Sequence, residues 1–520
     1  MLRSTHHLLL VASFLIGLIS PIQAKMLHVP QDYATIQIAI NAATIGDTVI
    51  VSAGNYNERI KLKPGITVRS EGDNTKGAMG MKRAEATIIN GQGNNGRQPG
   101  VLMAEGSTLD GFTITGIGNF DEQLWKKHFD SQGEELSDEQ GAVNADGTIP
   151  AISIQGVGCI VSNNIVHHNG DVGIAVIGIE GKLNHALITS NRSYRNMGGG
   201  IGIADFSQAI ISGNTCHQNL RAGIGCRNAS PIVIGNTCFK NVRAGIGCRE
   251  GAGPIIRGNE CYSNRRAGIG IRMTKTAPLV ENNLCYENDM AGIGNRDGAE
   301  PIIRNNRCFS NKMAGIGCDG SKPLIVGNEC RDNSLAGIGL RGGAKATIKE
   351  NVCLENKLVA IGVTHGSQAT ISANRLIRTG GVPPIIAIKD DSDVIIENND
   401  INGGGVAAIL VQGKARISQN RFNGTGDKQG NAVWVWEGSS VIISGNIFDG
   451  FRAAVNASKA ILTVTGNSIT RFQRIAITVK DSLKPAHIYG NRATTTDRQA
   501  KVIEINGPAG IVESNELTYE

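Results

Sequence analysis

From Arg221 to Cys238 the chain alternates apolar and other positions with a period of two. Ala222, Ile224 and Cys226 stand against Arg221, Gly223, Gly225 and Arg227, the pattern of a half-buried strand. Ile232 and Ile234 are expected to point inward from a second short strand, and Cys238 from a third. The whole unit recurs about every 23 residues. AGIG begins at Ala222, Ala244, Ala267, Ala291, Ala314 and Ala336, with GGIG at Gly199 and VAIG at Val359. In step with it an Asn stands two residues before a Cys, from Asn214 and Cys216 to Asn351 and Cys353. Such a unit has no room for a helix beside three strands. The pattern therefore predicts an all-β coil of short parallel strands, each coil burying its apolar face on the next. The Asn residues are expected at the bends, in left-handed backbone, with their stacked side chains forming a ladder.

The rhythm divides the chain. Residues 1–24 read as a leader, 25–116 as a cap and first coils, 117–148 as an insertion, and 149–375 as regular coils. Looser coils fill 376–520, around Asn420, Asn446, Asn467, Asn491 and Asn515. Tyr33, Ile36, Ile40 and Ala43 fall at helical spacing, which predicts an N-terminal capping helix over the open end of the coil. The insertion is polar and acidic, with Asp121, Glu122, Glu134, Glu135, Asp138, Glu139 and Asp146, and reads as a long loop. Trp434 and Trp436 alternate across Val435 and so share one face. They are expected in the core; on the outer face they would form a sugar-stacking platform.

Composition fits a solenoid. Aromatic residues make up 4% of the 520 positions while glycine supplies 68, so a core built on large rings is not expected. Arg3, the apolar run Leu8–Ile19 and Ile22-Gln-Ala24 form a secretory signal pattern, with cleavage expected after Ala24 and export to the periplasm or beyond. That run is too short to span a membrane, and no later segment is apolar enough. Removing it takes away Arg3 alone and lowers the net charge from +6 to +5, a mild excess. Eleven cysteines are unusual in an exported chain. At one slot on successive coils, ~4.8 Å apart, their side chains would lie parallel rather than facing, so a buried reduced column is expected. Soft copper or zinc is the sharper alternative, but paired zinc spacings are missing and no metal site is assigned.

The glycine phrases suggest a surface. No helix follows them to hold a pyrophosphate, so they are not nucleotide fingerprints. Gly223, Gly225, Gly245, Gly247, Gly268 and Gly270 are instead expected to lay bare backbone on the outer face as a flat strip. Arg221, Arg243 and Arg266 border it on one side, and Arg227, Arg249, Arg272, Arg296 and Arg341 on the other. Asp319 interrupts the second row; Met290, Met313 and Leu335 end the first. Guanidinium groups pair bidentately with carboxylates and sulfates, which points to an acidic polysaccharide as partner. The alternative is a solvated face that discourages side-on association. No nucleic-acid partner is expected, and no cofactor is indicated.

Thr35-Ile-Gln-Ile-Ala-Ile-Asn-Ala-Ala43, Gly46-Asp-Thr-Val-Ile-Val51, Ala53-Gly-Asn-Tyr-Asn-Glu58 and Ser107-Thr-Leu-Asp-Gly-Phe-Thr-Ile114 resemble the right-handed parallel β-helix, pectin-lyase-like superfamily. The opening is similar to those of pectin methylesterases and of the β-helix accessory proteins of nitrous oxide reductase. The resemblance implies the right-handed fold but no single activity. The methylesterase carboxylate segment has no match, since Ala204-Asp205-Phe206-Ser207 departs from it. Three readings stay open: a polysaccharide-binding coil, a carbohydrate-active lyase, hydrolase or epimerase, and an accessory protein for copper-enzyme maturation. For an enzyme, Asp205, Glu250, Asp297 and Asp319 lie near the strip.

Overall fold

The computed structural model describes residues 24–75, 77–93, 98–131, 149–424 and 430–519. Nearly all of the leader and the acidic stretch 132–148 lie outside the described residues. The chain winds as one right-handed parallel β-helix of about 20 turns, with three strands per turn forming three parallel sheets. In the repeat read above, Ile224–Arg227 lies in sheet I, Ile232–Ile234 in sheet II and Thr237–Phe239 in sheet III. Each strand pairs with its equivalents one turn before and after, as Ile224 does with Ile201 and Ile246.

Helix α1 (Ile36–Ala42) covers the N-terminal end. Thr35 accepts from the Ile38 amide as its N-cap, and Ile36, Ala39 and Ile40 are buried on the first coils. A short helix, α2 (Lys82–Ala86), carries Arg83 to Asp110 at 2.6 Å. The insertion is not all loop. Helix α3 (Glu122–Asp130), capped by Asp121, seats Trp125 on Met197, Leu220 and Val242 at the corner between sheets III and I. Its residues 125 and 129 carry aromatic rings one helical turn apart, which is what gives this polar segment a buried side.

Two asparagine ladders hold the corners. One runs from Asn164 to Asn515, each side-chain amide donating to the next Asn Oδ1 at 2.9–3.0 Å. The second, which the sequence reading missed, runs from Asn169 to Asn356 at the next corner. The ladder residues are not the left-handed ones. Positive φ falls on the residue before each, such as Ser190 (φ 57) before Asn191 and Asn282 (φ 57) before Asn283. That preceding residue turns the chain and leaves the Asn side chain free to point inward.

Sheet II reverses the expected facing. Val233 is fully buried while Ile232 is 38% exposed, so the core takes the middle residue of Ile232-Val233-Ile234. Trp434 and Trp436 are likewise outside, because Val433 and Val435 fill the core. The cysteines stand where expected. Cys216, Cys238, Cys261, Cys285, Cys308, Cys330 and Cys353 pair in register on sheet III, and all eleven cysteines are buried and free. Neighbouring thiols, and burial after them, hold Cys238 and Cys285 well above the ordinary thiol value. Burial pushes Cys318 up to about 12. The thiols should resist alkylation in the native protein and react fully only after denaturation, as a thiol titration with and without guanidinium would check. Rapid native labelling of the column would contradict that.

Candidate functional site

The glycine phrase contributes two columns, not one strip, because the chain bends between sheet III and sheet I. Gly223, Gly245 and Gly268 are buried at that bend. A Cβ at Gly223 would lie 2.8 Å from the Gly245 carbonyl oxygen and 2.8 Å from Asn241 Nδ2, so the second ladder leaves no room for a side chain. Gly225, Gly247 and Gly270 face outward, where a Cβ at Gly247 would meet only Ala222 Cβ at 3.7 Å. Ala222 is therefore not in the core as its alternation predicted. It and its equivalents lie beside the outward glycines, and Ala314, Ala336, Val359 and Ala387 form a small apolar cluster apart from the main core. The outer floor of sheet I is thus a flat lane of glycine and alanine.

The arginines border this lane as read from sequence, with unequal exposure. In the row after the strand, Arg227 pairs in register with Arg249, Arg272 with Arg296, Arg296 with Asp319 and Asp319 with Arg341. This row is interleaved with acids. Arg227 meets Asp205 at 3.2 Å, Arg249 meets Glu250 at 3.4 Å, Arg296 meets Asp297 at 3.4 Å and Arg341 meets Asp319 at 2.9 Å. Arg221, Arg243 and Arg266 are half-buried at the corner that α3 occupies. Desolvation lowers the Arg221 pKa, and the nearby Asp171 carboxylate opposes it. Eight arginines in the two rows face Asp171, Asp205, Glu250, Asp297 and Asp319, which leaves the lane with three net positive charges.

Two aromatic features escaped the sequence reading. Beside the second row, Phe206 is 44% exposed at the rim of a shallow depression of about 160 Å³, lined also by Gln208, Asn228, Ala229, Ser230 and Gly251. On the outer face of sheet III, His167, Tyr194, His217, Phe239, Tyr262, Tyr286 and Phe309 stack with centroids 4.7–5.0 Å apart. The Arg331 guanidinium lies 4.5 Å over the Phe309 ring. The signal was present in sequence as the aromatic residue after each of Cys216, Cys238, Cys261, Cys285 and Cys308. These rings cover each other's faces, so they brace the coil and offer a sugar only their edges.

Among the described residues no group of three or more His, Cys, Asp and Glu side chains is placed to hold a metal ion, and no helix is long and apolar enough to cross a membrane.

The family model for the right handed β-helix region matches residues 177–328, 243–377, 318–448 and 384–519. A second model, described as Protein of unknown function (DUF1565), matches residues 29–242. Comparison with curated proteins gives no match. Among solved structures, the catalytic unit of a thermostable GH87 α-1,3-glucanase from Streptomyces thermodiastaticus is 13% identical, with a TM-score of 0.44 over 68% of this chain and 61% of that one. The chain therefore spans less than two thirds of that unit. A mannuronan C-5 epimerase A-module from Azotobacter vinelandii is 13% identical, with a TM-score of 0.29 over 93% of both chains. A periplasmic alginate epimerase is 13% identical, with a TM-score of 0.32 over 68% of this chain and 76% of that one. At this level the likeness carries no activity across.

Proposed function

The chain belongs to the right-handed β-helix family, and on that footing we propose that it is an exported carbohydrate-binding coil whose ligand is an acidic polysaccharide laid lengthwise along sheet I. One observation carries the reading: an outward glycine column with an arginine column in register along its edge. Bare backbone lets an extended chain approach closely, and guanidinium groups at ~4.8 Å intervals meet successive carboxylates or sulfates. Export is supported by the Arg3–Ala24 pattern.

Interleaved carboxylates make each contact weak. An exposed arginine is worth on the order of 0–1 kcal/mol, so binding depends on many contacts and falls with salt. The enzyme reading is less well supported. Asp205, Glu250, Asp297 and Asp319 are each ion-paired with an arginine and are 40–55% exposed, a solvated setting rather than one arranged for proton transfer. The copper-maturation reading meets a column whose seven thiols are all 0% exposed.

Replacing Arg249 and Arg272 together by Ala should lower polygalacturonate retention on an affinity gel several-fold without moving the thermal midpoint. Gly247→Leu with Gly270→Leu should do the same by filling the lane, since the added Cβ atoms would meet only Ala222 Cβ at 3.7 Å and, more tightly, Ala244 Cβ at 3.3 Å, and no backbone. Gly245→Ala is the control: its Cβ would lie 2.7 Å from the Gly268 carbonyl oxygen, so it should destabilise the coil instead. Unchanged retention in both double variants would reduce the lane to a solvated face.

A further inference from the structure

The outward column that begins with glycine does not stay flat. Its strand register is unbroken from Gly225 through Gly247, Gly270, Gly294, Gly317, Gly339 and Gly362, then Ala387 and Leu410, to Trp434. Trp436 stands two residues on, on the side of the lane where the arginine row runs. Ala387 and Leu410 are 8% and 4% exposed, so the open glycine floor ends at Gly362 and the two indoles stand about three turns beyond it.

We propose that Trp434 and Trp436 form a pyranose-stacking subsite that closes the C-terminal end of this face, a deepening that rests on the polysaccharide reading above. Neither ring is required to fill the core, because Val433 and Val435 are both fully buried beside them. The two rings meet edge to face, with centroids 5.4 Å apart and planes at 78°. This differs from the sheet III stack, where the planes beyond Tyr194 lie within 11° and every inner ring is covered on both faces. A perpendicular pair forms a corner. The C–H face of a sugar ring can lie on one indole while its rim rests against the other, and Trp436 is 37% exposed to receive it. Polar groups stand alongside for hydroxyls: Asn456 is in register with Trp434 on the next turn, and Gln412 is exposed on the turn before. Stacking is indifferent to carboxylates, so this subsite reads ring shape whereas the arginines read charge.

The chain has three tryptophans, and the third, Trp125, is 5% exposed beneath α3. In a Trp125→Phe background, fluorescence thus reports on the corner alone. Titration with polygalacturonate and with neutral cellohexaose separates the two readings. Both probes should shift the emission, and the cellohexaose response should be insensitive to salt. Trp434→Ala with Trp436→Ala should weaken polygalacturonate binding about five- to tenfold, with Tyr at both positions restoring most of it. If the Arg249 and Arg272 pair weakens polygalacturonate binding while emission and the tryptophan variants show no effect, the subsite is overturned and the acidic-glycan reading stands. If cellohexaose shifts the emission but polygalacturonate does not bind, the subsite stands and the acidic ligand falls. No emission response to either probe, together with no retention of polygalacturonate on the affinity gel, overturns both.

Discussion

Asn283→Asp is expected to remove about 3–5 kcal/mol from the stability of the central coils. Asn283 is 1% exposed, and its amide donates to the Ile256 carbonyl at 3.0 Å and to Asn306 Oδ1 at 2.9 Å. Its own Oδ1 accepts from the Asn259 backbone amide at 2.9 Å and the Asn259 side chain at 3.0 Å. A carboxylate keeps the two accepting roles and loses both donations, leaving a buried charge against two oxygen atoms. Asn283→Ala should cost a similar amount by a different route, since it orphans the Asn259 donors and the Ile256 carbonyl. Asn515→Ala is the contrast, because that ladder position is partly exposed and should cost about 1 kcal/mol. A stacked array need not unfold in one step, so hydrogen exchange over residues 256–306 is the appropriate readout alongside the denaturation midpoint. Equal costs at Asn283 and Asn515 would show that the ladder is decoration.

The second large effect is a loss of stability on acidification between pH 6.5 and about 4. Burial lowers His167 and His217 from 6.5 to about 4, with smaller contributions from His168 and Arg195 around the first ring and from Arg192 and Lys240 around the second. The folded state therefore keeps both imidazoles neutral in a window where the unfolded chain takes up protons. The unfolded state binds more protons there, so stability is full above pH 6.5 and falls as the pH drops towards 4. Each ring contributes up to about 3 kcal/mol by the lower limit. His167→Phe with His217→Phe should flatten the profile while keeping the stack, since Phe239 and Phe309 already fill equivalent slots. An unchanged slope between pH 6.5 and 4.5 in that variant would assign the effect to other groups.

What could be read from sequence was whatever repeats by letter and by parity. The coil, the first asparagine ladder and the cysteine column follow from phrases that return, and the cap from the helical spacing of Tyr33, Ile36, Ile40 and Ala43. The errors fall where parity is ambiguous. Ile232, Val233 and Ile234 are all apolar, so either facing satisfies the pattern, and packing against the neighbouring turns chose Val233. Gly223 and Gly225 look equivalent, yet the bend between sheets breaks the alternation and buries the first. The aromatic stack was hidden because its slot passes from His to Tyr to Phe to Arg331, conserving flatness and not identity. The arginine rows were legible, but their acidic partners were not, since Asp205 reaches Arg227 from the preceding turn.

The asparagine ladder also makes the molecule a ruler. Successive rungs are separated by anything from 21 residues, as from Asn399 to Asn420, to 27, as from Asn164 to Asn191. Each rung nevertheless advances the chain by one strand spacing, because the extra residues are taken up in the connecting turns. Distance along the outer face is therefore counted in turns and is independent of how many residues each turn contains. The face can lengthen or shorten only by whole turns. A ligand whose own repeat matches the pitch meets an equivalent neighbour at every step, and one whose repeat differs drifts out of phase after a few units.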